Sequence, residues 1–197
     1  MFKTIALLST LLFSTIAFAA DVIKFSEDGA IVNIHQFFSS LKVSKIKALH
    51  ANTSGKALVT KTGIYAFLES PANDTHLKDF APGTTVKILG KLHKKSFLLH
   101  IESISKSTVK LDAEIKKYKA STGKTISIKG MNMCQCGLTL GSLPHSCKLG
   151  HIHHMQGNDK TIYHYLQSSK DHSLNKNHFK AMKIKALLFP GNWIFVK

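Results

Sequence analysis

Ten side chains able to bind a soft metal crowd into residues 131–155: Met131, Met133, Cys134, Cys136, His145, Cys147, His151, His153, His154 and Met155. All three cysteines of the chain are among them, and no Asp or Glu occurs between Glu114 and Asp159. Sulfur and imidazole without carboxylate suit copper or zinc and poorly suit a hard, oxygen-seeking cation. In an extended segment Cys134-x-Cys136 sets two sulfurs on one side, and His151-x-His153 does the same for two imidazoles. Bringing the two segments together would offer Cys134, Cys136, Cys147, His145, His151, His153 and His154 as ligands, in Cys₂His₂ or Cys₃His sets for tetrahedral zinc. Met131, Met133 and Met155 extend the set toward copper. Gly137, Gly141 and Gly150 leave the stretch free to fold round an ion.

The same residues admit other chemistry. Cys147 paired with Cys134 or Cys136 would staple the segment, as exported proteins commonly do; a Cys134–Cys136 bridge would close a short, strained ring. The methionines also suit core filling. A nucleophile and base could be drawn from Cys147 with His145 or His151, but no acidic residue is near to orient the imidazole. The expectation is therefore a binding protein and not an enzyme. His164 is expected to face solvent from its strand.

The elements that must position this stretch read as two related copies. Gly63–Ser70 matches Thr161–Ser168, Val86–Leu92 matches Met182–Leu188, and Phe97–Leu99 matches Trp193–Phe195. Upstream, Lys45–Leu49 matches Ser127–Met131 at a shorter offset, which places an insertion at about 131–155 in the second copy. Within each copy, apolar residues alternate with polar or small ones, as half-buried strands require. His93–Ser96 and Phe189–Asn192 carry hairpin turn residues. About five short strands per copy suit a small barrel of the OB type. The fold class expected is mainly β: two tandem OB-like barrels at 43–104 and 124–197, joined by a linker at 105–123. Within the linker, Leu111–Tyr118 has helical spacing. Before the first barrel, residues 20–42 read as a hairpin around Glu27-Asp28-Gly29 followed by a short helical turn.

Residues 1–19 read as a secretory leader: Lys3, an apolar run over Thr4–Phe18, and an Ala17-Phe18-Ala19 cleavage site. Export, periplasmic or further out, is the expectation, and no later apolar run is long enough to span a membrane. There are 27 Lys plus Arg against 11 Asp plus Glu, and every basic residue is Lys. Such a field attracts anionic lipid head groups or glycans. Lys lacks the planar fork that reads bases, and export argues against nucleic acid as a partner. Tyr65, Phe67, Phe97, Tyr163, Tyr165 and Trp193 sit on strands among the lysines, where core packing accounts for at least half of them.

The second copy resembles a group of small exported bacterial proteins with an OB-like β fold. The resemblance rests on Gly130, Cys134, His145 with Cys147, Thr161–Leu166 and Met182–Ala186, and extends to Lys45–Ser103 without the cysteines. It departs in the closer spacing of His145 and Cys147, in Cys136, and in the His151, His153 and His154 cluster. It implies the fold and the exported compartment, and little about activity. Together the residues and the resemblance point to an exported copper- or zinc-binding protein. The other reading is a disulfide-stapled basic protein that holds anionic lipid or glycan.

Overall fold

The computed structural model describes residues 22–41, 55–135, 153–166 and 179–196. The first copy contributes β1 (Val22–Asn33), α1 (Ile34–Phe37), β2 (Lys56–Thr60), β3 (Ile64–Phe67), α2 (Pro71–Leu77), β4 (Thr85–His93) and β5 (Leu98–Lys106). After α3 (Asp112–Lys119) come β6 (Lys124–Cys134), β7 (His153–Gly157), β8 (Ile162–Tyr165), β9 (Ala181–Phe189) and β10 (Trp193–Val196). The strands close into two barrels, ordered β1-β2-β3-β5-β4 and β10-β8-β7-β6-β9. Taken from β6, the second order is β6-β7-β8-β10-β9, the same circuit as the first. Mainly β, in tandem five-stranded barrels, is the expected fold class. No described helix is long and apolar enough to cross a membrane.

Closure depends on one long strand per barrel that serves two neighbours. β1 pairs with β4 along Val22–Ala30 and with β2 along Gly29–Asn33; Gly29 belongs to both ladders. β6 does the same, with Gly130 opposite both Met182 and Gly157. A strand that bends sharply between partners brings backbones close, and a missing Cβ makes room. A Cβ on Gly130 would overlap the Gln156 carbonyl oxygen, and one on Gly29 would stand 2.6 Å from the Leu58 side chain.

The register corrects several expectations. Residues 22–33 form one strand of the first barrel, not a hairpin ahead of it, so that barrel begins at Val22 and not near residue 43. The counterpart of β6 is β1; Lys45–Leu49, matched in sequence to Ser127–Met131, lies outside the described residues. With β1 and β6 aligned, residues 34–55 and 135–152 are equivalent connections, and the first is the longer. The Cys/His/Met stretch thus comprises the end of β6, the start of β7 and a connection between them that has a counterpart in the first copy, and it is not an insertion in one. Leu98, not Phe97, is the equivalent of Trp193, because Leu98 pairs with Ala66 as Trp193 pairs with His164. Asn73 and Asp74 lie in α2, where Ser70 caps the helix by accepting from the Asn73 amide at 3.2 Å and Pro71 opens the first turn. The helical linker forms as expected.

Each barrel has an interior core. Phe25, Ile31, Leu58, Tyr65, Phe67, Ile88 and Leu99 fill the first; Ile128, Met155, Tyr165, Ile184 and Ile194 are in the second. A third core joins the barrels. Val32, Ala57, Val59, Ile64, Ala66 and Leu98, on the outer face of the first barrel, pack with Leu166, Phe189 and Trp193 of the second. The Phe38 and Phe189 rings meet with centroids 4.4 Å apart. The β2–β3 outer face, which OB barrels commonly present to ligands, is buried here against the sister barrel.

Candidate functional site between the barrels

Strand alternation sorts the expected ligands between two sides of the second barrel. On β6 and β7 the ladder sets Cys134 opposite His153, Asn132 opposite Met155 and Met133 opposite His154. Met155 is fully buried in the barrel core, so Cys134 and His153, two residues along on each strand, share its interior side. Both are buried at the barrel's end, where residues 136–152 leave and return. Met133 and His154 face the other way, and His154 lines a cavity shared with the first barrel. Met131 is on that outer side but 38% exposed. His153 and His154 leave their strand on opposite sides, although both reach the lining of one cavity between the barrels, and Met155 is a core residue. Cys136, His145, Cys147 and His151 lie outside the described residues, as do residues 1–21. Among the described residues no group of three His, Cys, Asp or Glu side chains could hold a metal ion.

The outer row is continuous across four strands. Met133 is opposite His154, His154 opposite His164, and His164 opposite Trp193. The two imidazoles meet Nδ1 to Nδ1 at 3.0 Å, with ring planes nearly perpendicular. The indole of Trp193 lies 4.9 Å from the His164 ring. Far from facing solvent, His164 is 1% exposed. Its residue number has the parity of Ile162 and Leu166, both buried, so all three share one face of the strand. Burial pushes the His164 imidazole down to about 4, against a small opposing pull from the Ser96 carbonyl. Burial also holds His154 well below its ordinary value, and the neighbouring His164 and His153 rings add to this. Both rings are therefore neutral at pH 7, with one nitrogen of each pair-facing edge a donor and the other an acceptor.

Beside the row is a cavity of about 50 Å³ shared by the two barrels. Lys56 and Glu69 reach it from the first barrel; His153, His154, His164, Tyr165 and Trp193 line it from the second. Lys56 Nζ donates to the Leu77 carbonyl at 2.8 Å, and desolvation lowers its pKa despite Asp74 nearby. Burial raises the Tyr165 hydroxyl. Among the described residues, His154 Nε2, the Tyr165 hydroxyl and Trp193 Nε1 are buried without a hydrogen-bond partner. Gln135 closes the cavity's edge: its amide oxygen accepts from the Glu69 amide at 2.9 Å and its amide nitrogen donates to the Glu69 carbonyl at 2.8 Å. His35 Nδ1 and the Leu166 carbonyl, 2.7 Å apart, tie the barrels a second time.

The sequence alone does not mark His164, Lys56 or Glu69 as site residues, and it offers Trp193 only among the strand aromatics. Parity along β8 would have found His164. The two first-barrel residues reach the site only through barrel packing. Comparison with known proteins found no family model, no curated protein and no solved structure that matches this chain.

Proposed function

We propose that this is an exported protein that binds copper or zinc, with Cys134 and His153 as the fixed pair of the site. One observation carries the reading: a cysteine and a histidine stand opposite each other, buried, at the two strand ends that frame residues 136–152. Cross-strand partners have Cβ atoms about 4.5–5.5 Å apart, a span that one ion between a thiolate and an imidazole can bridge. The connection between them supplies Cys136, Cys147, His145 and His151, whose types complete a four-coordinate soft or borderline site. With no carboxylate in the stretch, a thiolate-rich set favours Cu(I) or zinc over calcium or magnesium. The protein's part is to hold two ligands on rigid strands, with the remaining donors on the connection between them. Holding or passing on the metal, not turnover, is the role assigned.

The test is metal retention. Reduced protein loaded with zinc or Cu(I) and then desalted should keep about one equivalent at the Cys/His site, and Cys134→Ser should lower affinity there by at least about tenfold, as for loss of a directly bonded ligand. Thiol titration showing two of the three cysteines bridged in the mature protein, with no metal kept after reduction, would sink the reading. Binding to acidic vesicles that disappears in moderate salt would then favour the basic, disulfide-stapled alternative.

A further inference from the structure

The geometry points to a second metal site, independent of the Cys/His connection: Met133, His154 and His164 form a buried site for a monovalent soft ion, Cu(I), at the junction of the barrels. The three side chains occupy successive strands in one cross-strand row. Each is at most 7% exposed. A proton now joins the two imidazoles across 3.0 Å. In a three-donor, roughly trigonal set, metal–nitrogen bonds of about 2.0–2.1 Å separate two nitrogens by about 3.5 Å. The pair needs to open by about 0.5 Å for an ion to enter, the shared proton moving to the Nε2 of the ring that carried it, so that both imidazoles stay neutral. The thioether of Met133, opposite His154, supplies a third, soft donor.

The charge of the ligands selects the ion. Two neutral imidazoles and a thioether provide no negative charge, and the site is desolvated. The cost of moving an ion out of water grows with the square of its charge, so a monovalent ion is favoured here over a divalent one. Thioether ligation points the same way, to Cu(I) over zinc.

The sister barrel shows that the fold does not need these residues. The equivalent row in the first barrel is Val32, Ala57, Ala66 and Leu98, paired in the same order. Where one copy packs Val-Ala-Ala-Leu, the other buries Met-His-His-Trp. Two imidazoles desolvated at an apolar interface are a burden on stability that the first copy avoids. The unpartnered Nε2 of His154 beside the inter-barrel cavity is a further polar group that packing alone leaves unexplained.

Trp193 is the only tryptophan of the chain and reports on this site directly. The probe is Cu(I), added anaerobically to the full chain carrying Cys134→Ser, Cys136→Ser and Cys147→Ser, which removes the thiolates of the first site. Saturable quenching of Trp193 by one equivalent is expected, with affinity weakened at least about tenfold by His164→Ala, as for loss of a direct ligand. Alanine is what the first barrel carries there, so this change has a precedent in the same fold. Quenching that is absent in the folded triple variant, or undiminished by His164→Ala, overturns the site. Because the thiolates are gone, either result leaves the Cys134–His153 reading untouched. Should the triple variant not fold, ¹⁵N spectra of histidine-labelled wild-type protein decide: Cu(I) in excess of the thiolate site must shift the His154 and His164 ring nitrogens, and unmoved resonances overturn the proposal.

Discussion

At the scale of single residues, His154 and His164 make the fold sensitive to acid. Lys56 and Glu69 approach them from the first barrel, His153 from the same strand, and the indole of Trp193 covers one ring. His164 titrates at about 4 in the fold against an ordinary 6.5, and His154 also lies well below 6.5. Between those values the unfolded chain binds protons that the folded chain refuses, so stability rises with pH there. The stability is whole above pH 6.5 and is lost as pH falls toward about 4, below which His164 takes nothing further. At about 1.4 kcal/mol per pH unit, the His164 share is about 3 kcal/mol. Denaturant unfolding at a series of pH values checks this. His154→Ala with His164→Ala should remove most of the slope between pH 6.5 and 4; a slope left intact would place the titrating groups elsewhere.

At the scale of elements, the long first strand of each barrel decides where everything else goes. Its two halves belong to different ladders, and the glycine between them allows the bend. The two glycines differ in what stands against them. At Gly130 a new Cβ meets backbone, the Gln156 carbonyl, while at Gly29 it meets the side chains of Leu58 and Thr60. Backbone in a ladder cannot step aside without breaking pairs, whereas a leucine can repack. Gly130→Ala should therefore lower stability by about 3 kcal/mol and Gly29→Ala by about 1, the two ends of the usual overpacking range. Thermal unfolding of the two variants side by side measures the difference, and equal losses would contradict it. If the proposed metal site is right, Gly130→Ala should also weaken metal retention, because Cys134 and His153 are held by the ladder that it disturbs.

At the scale of the whole molecule, the barrels pack through equivalent outer faces and share one apolar core. Gln135 acts across that junction like one more strand residue, satisfying both backbone groups of Glu69. Gln135→Ala leaves an amide and a carbonyl to find water, a loss of about 1–3 kcal/mol. It should lower the melting temperature without changing far-UV dichroism. Wild-type protein should unfold in one step, with Trp193 fluorescence, which reports the junction, coinciding with loss of β structure. Two separated transitions would mean that the barrels are only loosely joined. Burial of the β2–β3 faces also bears on the lysine-rich surface: an anionic partner would have to use other faces than the one OB barrels commonly offer.

Alternation along Thr85–His93 and its relatives, the turn residues between strands, and the repeat of the later strands were legible in the linear chain, and with them the two β barrels. So was the soft-donor chemistry of residues 131–155, since residue types need no fold to declare themselves. The first strand was misread, because a strand that changes partners at a glycine looks locally like a hairpin. Which donors meet was decided only in three dimensions. A period of two sends neighbours such as His153 and His154 to opposite sides of a sheet, and only barrel closure says which side is core and which is junction. Lys56 and Glu69 came to the cavity in the same way, carried there by packing between copies that no local pattern encodes.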